Sequence, residues 1–138
     1  MPGECTFCAI RDRAVPAAMV LDEGAVLAFL DVRPLFPGHV LVVPRAHYAT
    51  LLDLPAGEIG PLFAAVQRVA AAVTAAMGAQ GTFVAANNVV SQSVPHLHVH
   101  VVPRTRGDGL RGFFWPRTRY AGGDEQSAVA ARIRLHLE

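Results

Sequence analysis

Ten residues, Pro95-His96-Leu97-His98-Val99-His100-Val101-Val102-Pro103-Arg104, constrain the fold of this chain more than any others. Histidine recurs at every second position, with one aliphatic residue between. That alternation has the period of a β-strand, whose successive side chains point to opposite faces. Leu97, Val99 and Val101 then face a core. His96, His98 and His100 stand in a row on the other face, about 6.6–7 Å apart along the strand. Pro95 and Pro103 bracket the segment, because proline cannot donate to a ladder. A merely solvated face would mix Thr, Ser, Lys and Glu. Three imidazoles in a row instead offer one small anion a nucleophile, a proton partner and a metal ligand.

The chain of 138 residues is long enough for one domain, 1–138, with a proper core. Its 52% hydrophobic and 17% charged residues exclude a disordered class. A net charge of +1 argues against bulk nucleic-acid binding. No apolar run approaches the roughly 18 residues of a membrane span. Met1 to Cys5 lacks the basic and apolar regions of a secretory signal, so the cytoplasm is the expected location. The mean hydropathy of +0.34 is high for this size and points to apolar surface covered in an oligomer.

Cys5-Thr6-Phe7-Cys8 holds the only two cysteines. A redox C-x-x-C normally follows a strand, and only four residues precede Cys5. A reducing compartment and so small a loop disfavour a disulfide. Zinc fits better, with two further ligands that histidine naturally supplies. Residues 19–31 read as two short strands turning at Asp22-Glu23-Gly24. Asp31 ends the second strand, where it either caps the turn or accepts hydrogen bonds from sugar hydroxyls. A third strand spans residues 39–44, and His47 follows.

A long helix enters at Asp53-Leu54-Pro55. Its apolar stripe is Ile59, Leu62, Phe63, Val66, Val69, Ala70, Val73 and Met77, and it ends at Gly78 and Gly81. A fourth strand over 81–88 and the histidine strand form an antiparallel hairpin, which brings Asn87, Asn88, Gln92 and Ser93 near the histidine face. Residues 105–123 mix arginines with Phe113, Phe114, Trp115 and Tyr120. They read either as a solvated tail or as a cover offering arginine to phosphates and rings to a base. Residues 124–137 form a shorter helix, with Asp124 as N-cap, Val129, Ala130, Ile133 and Leu137 facing inward, and His136 at the surface.

His96 through Val102 matches the histidine-triad pattern His-φ-His-φ-His-φ-φ, with φ apolar, at every position. Cys-x-Phe-Cys, Phe29-Leu30-Asp31, Gly38-His39-Val40-Leu41-Val42-Val43-Pro44 and Gln92-Ser93-Val94 extend the likeness over nearly the whole chain. The chain therefore resembles a histidine-triad family protein, in particular the zinc-containing bacterial members. The resemblance implies an α+β fold: an antiparallel sheet of about five strands, one long helix and a shorter C-terminal helix, with the sheet continued across a homodimer.

It also implies a hydrolase acting at the α-phosphate of a nucleoside phosphoramidate or dinucleoside polyphosphate. His98 would be the nucleophile, forming a nucleotidyl-histidine that water then hydrolyses. His100 would bond phosphate oxygens and assist the leaving group, and Gln92 and Ser93 would hold non-bridging oxygens. Asp31 would bind ribose and Asn87 the sugar-phosphate. Phe7, Ile10, Val15, Phe29, Leu30 and Val32 would wall the base. A structural Zn²⁺ would sit on Cys5, Cys8, His47 and His96, whose four protein ligands leave no position for water. His39 is the rival ligand, read here as a strand residue bonding near the triad.

Many relatives carry a glycine-rich loop between the asparagine and the glutamine, whereas Asn88-Val89-Val90-Ser91-Gln92 has no glycine. The uridylyltransferase branch ends its motif in Gln; His100 favours hydrolysis over transfer. The competing class is a binding module, an AMP sensor with incidental turnover. A zinc-dependent redox protein would rest on Cys5 and Cys8 alone.

Overall fold

The structure is a computed structural model that describes residues 5–111 and 116–137. Its elements in chain order are α1 (Thr6–Arg11), β1 (Met19–Glu23), β2 (Val26–Leu30), β3 (Val40–Pro44), a 3-10 turn (Leu51–Asp53), α2 (Ala56–Met77), β4 (Gly81–Ala85), β5 (Val99–Arg104) and α3 (Gly123–Leu135). The strands form one antiparallel sheet in the order β1-β2-β3-β5-β4. This is the α+β architecture expected. The chain divides into two compact units, Met1–Asp108 and Gly109–Glu138.

In the first unit, β2 (Val-Leu-Ala-Phe-Leu) and β3 (Val-Leu-Val-Val-Pro) are almost continuously buried. Such unbroken apolar runs belong to strands covered on both faces. Val26, Ala28, Val40, Val42, Leu97, Val99 and Val101 pack against Leu62, Ala65, Val66, Val69 and Val73 of α2. On the opposite face Leu27, Phe29, Leu41 and Val43 join Cys5, Phe7 and Cys8. Each CH₂ removed from water is worth about 0.8 kcal/mol, so both layers hold the sheet. By length and composition α2 could also cross a bilayer; here it is the helix of the core.

The histidine strand is shorter than its alternation predicts, since β5 begins at Val99 rather than Pro95. The register Val42↔Val99 sets residue 97 opposite Pro44. Pro44 has no N–H to give, and its carbonyl accepts from His96 Nε2 at 2.9 Å. Leu97 N–H goes instead to Tyr48 O at 2.7 Å. The side-chain alternation nevertheless persists beyond the ladder, with Leu97 on the α2 face and His96 and His98 edge-on to Phe7 on the other.

Other expectations needed correction. Six residues are too few to show a period, and α1 has no signal in the sequence; Cys5 is its N-cap, with Sγ accepting from Cys8 N–H at 3.4 Å. Asp53 does not open α2; it completes a capping box with Thr50 on the preceding 3-10 turn. β4 stops at Ala85, not at residue 88. Ile59, Phe63 and Met77 of the α2 stripe are exposed in the single chain. Gly78 closes α2 at φ 60°, the left-handed cap that favours glycine.

In the second unit the N-cap of α3 is Gly122, and Asp124 lies in the first turn, where its charge suits the positive helix end. No α3 residue is buried, so Val129, Ala130 and Ile133 do not form an inward face; Leu137, beyond the helix, is likewise exposed. Phe113, Phe114 and Trp115 of the expected cover lie outside the described residues.

Candidate active site

A cavity of about 540 Å³ opens on the sheet face away from α2. Its lining includes Phe7, Ile10, Val15, Phe29, Leu30, Asp31, Val32, Ser93, His98 and His100. Phe7 comes from α1, Phe29 and Leu30 from β2, Asp31 from its end and His100 from β5. The walls are mainly apolar, with a carboxylate, a hydroxyl and two imidazoles converging, the usual build of a small-molecule site. Leu41, Val94 and Arg33 also line it. Leu41 and Val94 stand in segments that carry the family likeness, but the sequence marks neither as a site residue, and nothing in it marks Arg33.

Hydrogen bonds to backbone carbonyls settle which ring nitrogen carries the proton in His98 and His96. His98 is 2% exposed yet reaches the cavity. Its Nδ1 lies 2.7 Å from His96 O, and a carbonyl only accepts, so Nδ1 carries a hydrogen and the matching neutral tautomer has Nε2 bare. His96 Nε2 likewise donates to Pro44 O, which leaves His96 Nδ1 bare on the other side of its ring. Burial, the largest cause, holds His96 down to about 4 despite that carbonyl. Burial, then the neighbouring His98 and His39 rings, holds His100 down to about 4. Both are neutral near pH 7. Phe7 stands edge-on to His98 with ring centroids 5.0 Å apart, and His98 to His100 at the same 5.0 Å.

Cys5, Cys8, His47 and His96 bring four ligand atoms within 4.8 Å of one another. Cys5 Sγ is 3.4 Å and Cys8 Sγ 3.6 Å from His96 Nδ1, and Cys8 Sγ is 3.4 Å from His47 Nδ1. Tetrahedral zinc with ordinary Zn–S and Zn–N bonds sets S and N about 3.6 Å apart. The bare His96 nitrogen faces the two sulfurs. Burial first, then Cys5 beside it, pushes the Cys8 thiol up; a bound cation deprotonates a coordinating thiol outright. The donor set fits a closed tetrahedral metal site.

Asn87 and Gln92 are not brought to the cavity. Gln92 Nε2 donates to Ala49 O at 2.6 Å and its Oε1 accepts from Val89 N–H at 3.1 Å. Asn87 Nδ2 donates to Ser91 O at 3.2 Å. These side chains brace their own loop, in which Val89 and Ser91 adopt φ of 71° and 64°, conformations that glycine takes without steric crowding. His39 sits beside the triad, with Nε2 2.9 Å from His100 Nδ1. The sequence places it in the third strand, bonding near the triad; the strand begins one residue later, at Val40, and the bond to the triad is present.

A family model described as the HIT domain matches residues 12–107. The chain is 32% identical over 114 residues to the adenosine 5'-monophosphoramidase hnt1 of Schizosaccharomyces pombe, covering 81% of this chain and 83% of that one. It is 30% identical over 140 residues to the adenylylsulfatase HINT3 of Arabidopsis thaliana, covering 99% and 71%. Among solved structures, a zinc-bound histidine triad family protein from Mycobacterium smegmatis superposes with a TM-score of 0.75 at 34% identity, covering 99% of each chain. The match spans the sheet, α2 and the histidine strand, and with it the chain belongs to the HIT domain family.

Proposed function

We propose that this protein hydrolyses a nucleoside phosphoramidate or a dinucleoside polyphosphate at the α-phosphate, through a nucleotidyl-histidine. The observation that carries the reading is the His98 ring: its Nδ1 is tied to a carbonyl, and its bare Nε2 belongs to a residue lining the cavity. That lone pair attacks phosphorus and forms an N–P bond. The bond from phosphorus to the leaving group breaks, and its electron pair departs with that group. An anionic nucleotide leaves as it is; an amine takes a proton from solvent. Water then attacks the same phosphorus and frees His98.

His100, neutral near pH 7, acts as a hydrogen-bond donor to a phosphate oxygen rather than as a charged acid. Ser93 lines the cavity to hold a second oxygen, and Asp31 to accept from ribose hydroxyls. Phe7, Ile10, Phe29, Leu30 and Val32 enclose the base. Asn87 and Gln92 serve through the loop they brace. Zn²⁺ on Cys5, Cys8, His47 and His96 would tie α1 to the histidine segment and leave no position for water. Its ligand His96 also offers the carbonyl that holds His98. Cysteines used as zinc ligands rather than in a disulfide suit a cytoplasmic location.

Homodimerisation through β4 completes the proposal. β4 is an outer strand without charged residues, whereas the other edge, β1, carries Asp22, Glu23 and an irregular register. The activity is tested by mixing the protein with adenosine phosphoramidate, quenching without acid and weighing it. A nucleotidyl adduct that disappears in His98→Ala supports the reading; tight AMP binding with neither adduct nor product makes the protein a nucleotide-binding module. One zinc per chain, lost in Cys5→Ser, supports the metal site.

A further inference from the structure

His39 is buried, 3% exposed, and it is not among the residues lining the cavity. Its Nδ1 lies 3.1 Å from Leu35 N. A backbone amide can only donate, so that nitrogen carries no hydrogen, and the neutral ring holds its proton on Nε2. Nε2–H then donates to His100 Nδ1 at 2.9 Å. With Nδ1 filled as an acceptor, neutral His100 carries its own proton on Nε2. The bonds run in one direction only: Leu35 N–H to His39, His39 to His100, and His100 Nε2–H to whatever lies beyond. Asp31 Oδ2, at 3.6 Å from His39 Nε2, is the more distant acceptor.

The loop between β2 and β3 holds both ends of this arrangement. Arg33 N–H donates to Asp31 Oδ1 at 2.9 Å, two residues before Leu35 N–H reaches His39. We infer that His39 is a positioning residue: together with the Leu35 amide it selects the Nε2–H tautomer of His100, so that a donor and not a lone pair meets the phosphate oxygen. This inference rests on the hydrolase reading of the same site and adds the element that sets the direction of its hydrogen bond. Without it His100 could turn a lone pair toward an anion, which repels.

Asp31, His39 and His100 also bring three ligand atoms within 4.8 Å of one another, and the same amide argues against a metal there. A cation would need both His39 Nε2 and His100 Nδ1 bare. The His39 proton would then sit on Nδ1, donor against donor with Leu35 N–H. The geometry takes a proton in preference to a metal ion.

The test uses the full-length protein labelled with ¹⁵N in its histidines, His100 being assigned by its loss in His100→Gln. Expected in the wild type is one His100 species, pyridine-type at Nδ1 and pyrrole-type at Nε2. In His39→Phe the two nitrogens should average toward a mixture. kcat for adenosine phosphoramidate should fall about tenfold, the size of one oriented hydrogen bond, with KM within about twofold because His39 does not line the cavity. His39→Gln, whose amide can donate to His100 Nδ1, should restore the single species and most of kcat; a purely structural role would predict no such rescue. A wild-type His100 protonated at Nδ1 overturns the inference even if no variant folds. So does a His100 spectrum unchanged in His39→Phe. Failure of the wild type to form any His98 adduct would instead defeat the hydrolase reading and leave the tautomer result standing by itself.

Discussion

Replacing Val89 by glycine should make the protein more stable. Val89 holds φ at 71°, where Cβ crowds the backbone and a β-branched residue is an outlier. Such a conformation costs on the order of 1–3 kcal/mol. The loop enforces it because Val89 N–H donates to Gln92 Oε1 and Gln92 Nε2 donates onward to Ala49 O. Glycine relieves the crowding and keeps the N–H. Against the gain stands the greater freedom of glycine in the unfolded chain, about 0.5–1 kcal/mol. Little burial is lost, since Val89 is 75% exposed.

The balance is a gain of about 1 kcal/mol, or roughly 3–5 °C in Tm for a chain of this size. In urea the midpoint should rise with the slope unchanged. Val90→Gly is the control. Val90 is as exposed, at 79%, but is not among the residues with positive φ. Glycine there should lower stability by about 0.5–1 kcal/mol. A Val89→Gly midpoint at or below wild type, or the same shift at both positions, would refute the strain argument.

Acid should destabilise the fold through His100. Held down to about 4 by burial and then by His98 and His39, it stays neutral in the native state while the unfolded chain takes up a proton below about 6.5. Its contribution is therefore complete above pH 6.5 and lost as pH falls toward 4, on the order of 3 kcal/mol in all. Unfolding free energies measured across that range should lose about one proton of pH dependence in His100→Gln; an unchanged slope would count against the neutral ring. Leu97, fully buried in the α2-side core, should cost about 2–5 kcal/mol when cut to alanine. A loss under 1 kcal/mol in thermal melts would mean that the segment before β5 is not packed as described. Val84→Lys places a charge on the exposed side of β4 and should convert a dimer to monomer in light scattering; an unchanged mass would remove β4 from the interface.

Much of this molecule is written in local pattern. The alternation from His96 to Val101 set three imidazoles opposite an apolar row, and side-chain period survives even where ladder hydrogen bonds stop. The continuous apolar runs of β2 and β3 announced strands, and the stripe of α2 announced its core face at Leu62, Val66, Val69 and Val73. A chain of residues carries such information because periodicity is a property of neighbours.

Tertiary structure decided what depends on distant partners. The register of β3 against β5 set His39 beside His100 across 61 residues, and Pro44 beneath His96 across 52. From those pairings follow the end of the histidine strand and the placement of the ring protons of His96 and His100. Whether Gln92 faces a ligand or braces a loop turned on a carbonyl at Ala49 that no spacing could reveal. Residue types said that imidazoles, thiols and a carboxylate were available; only strand pairing determined which atoms meet, because a hydrogen bond depends on tenths of an ångström and a pattern of letters records none.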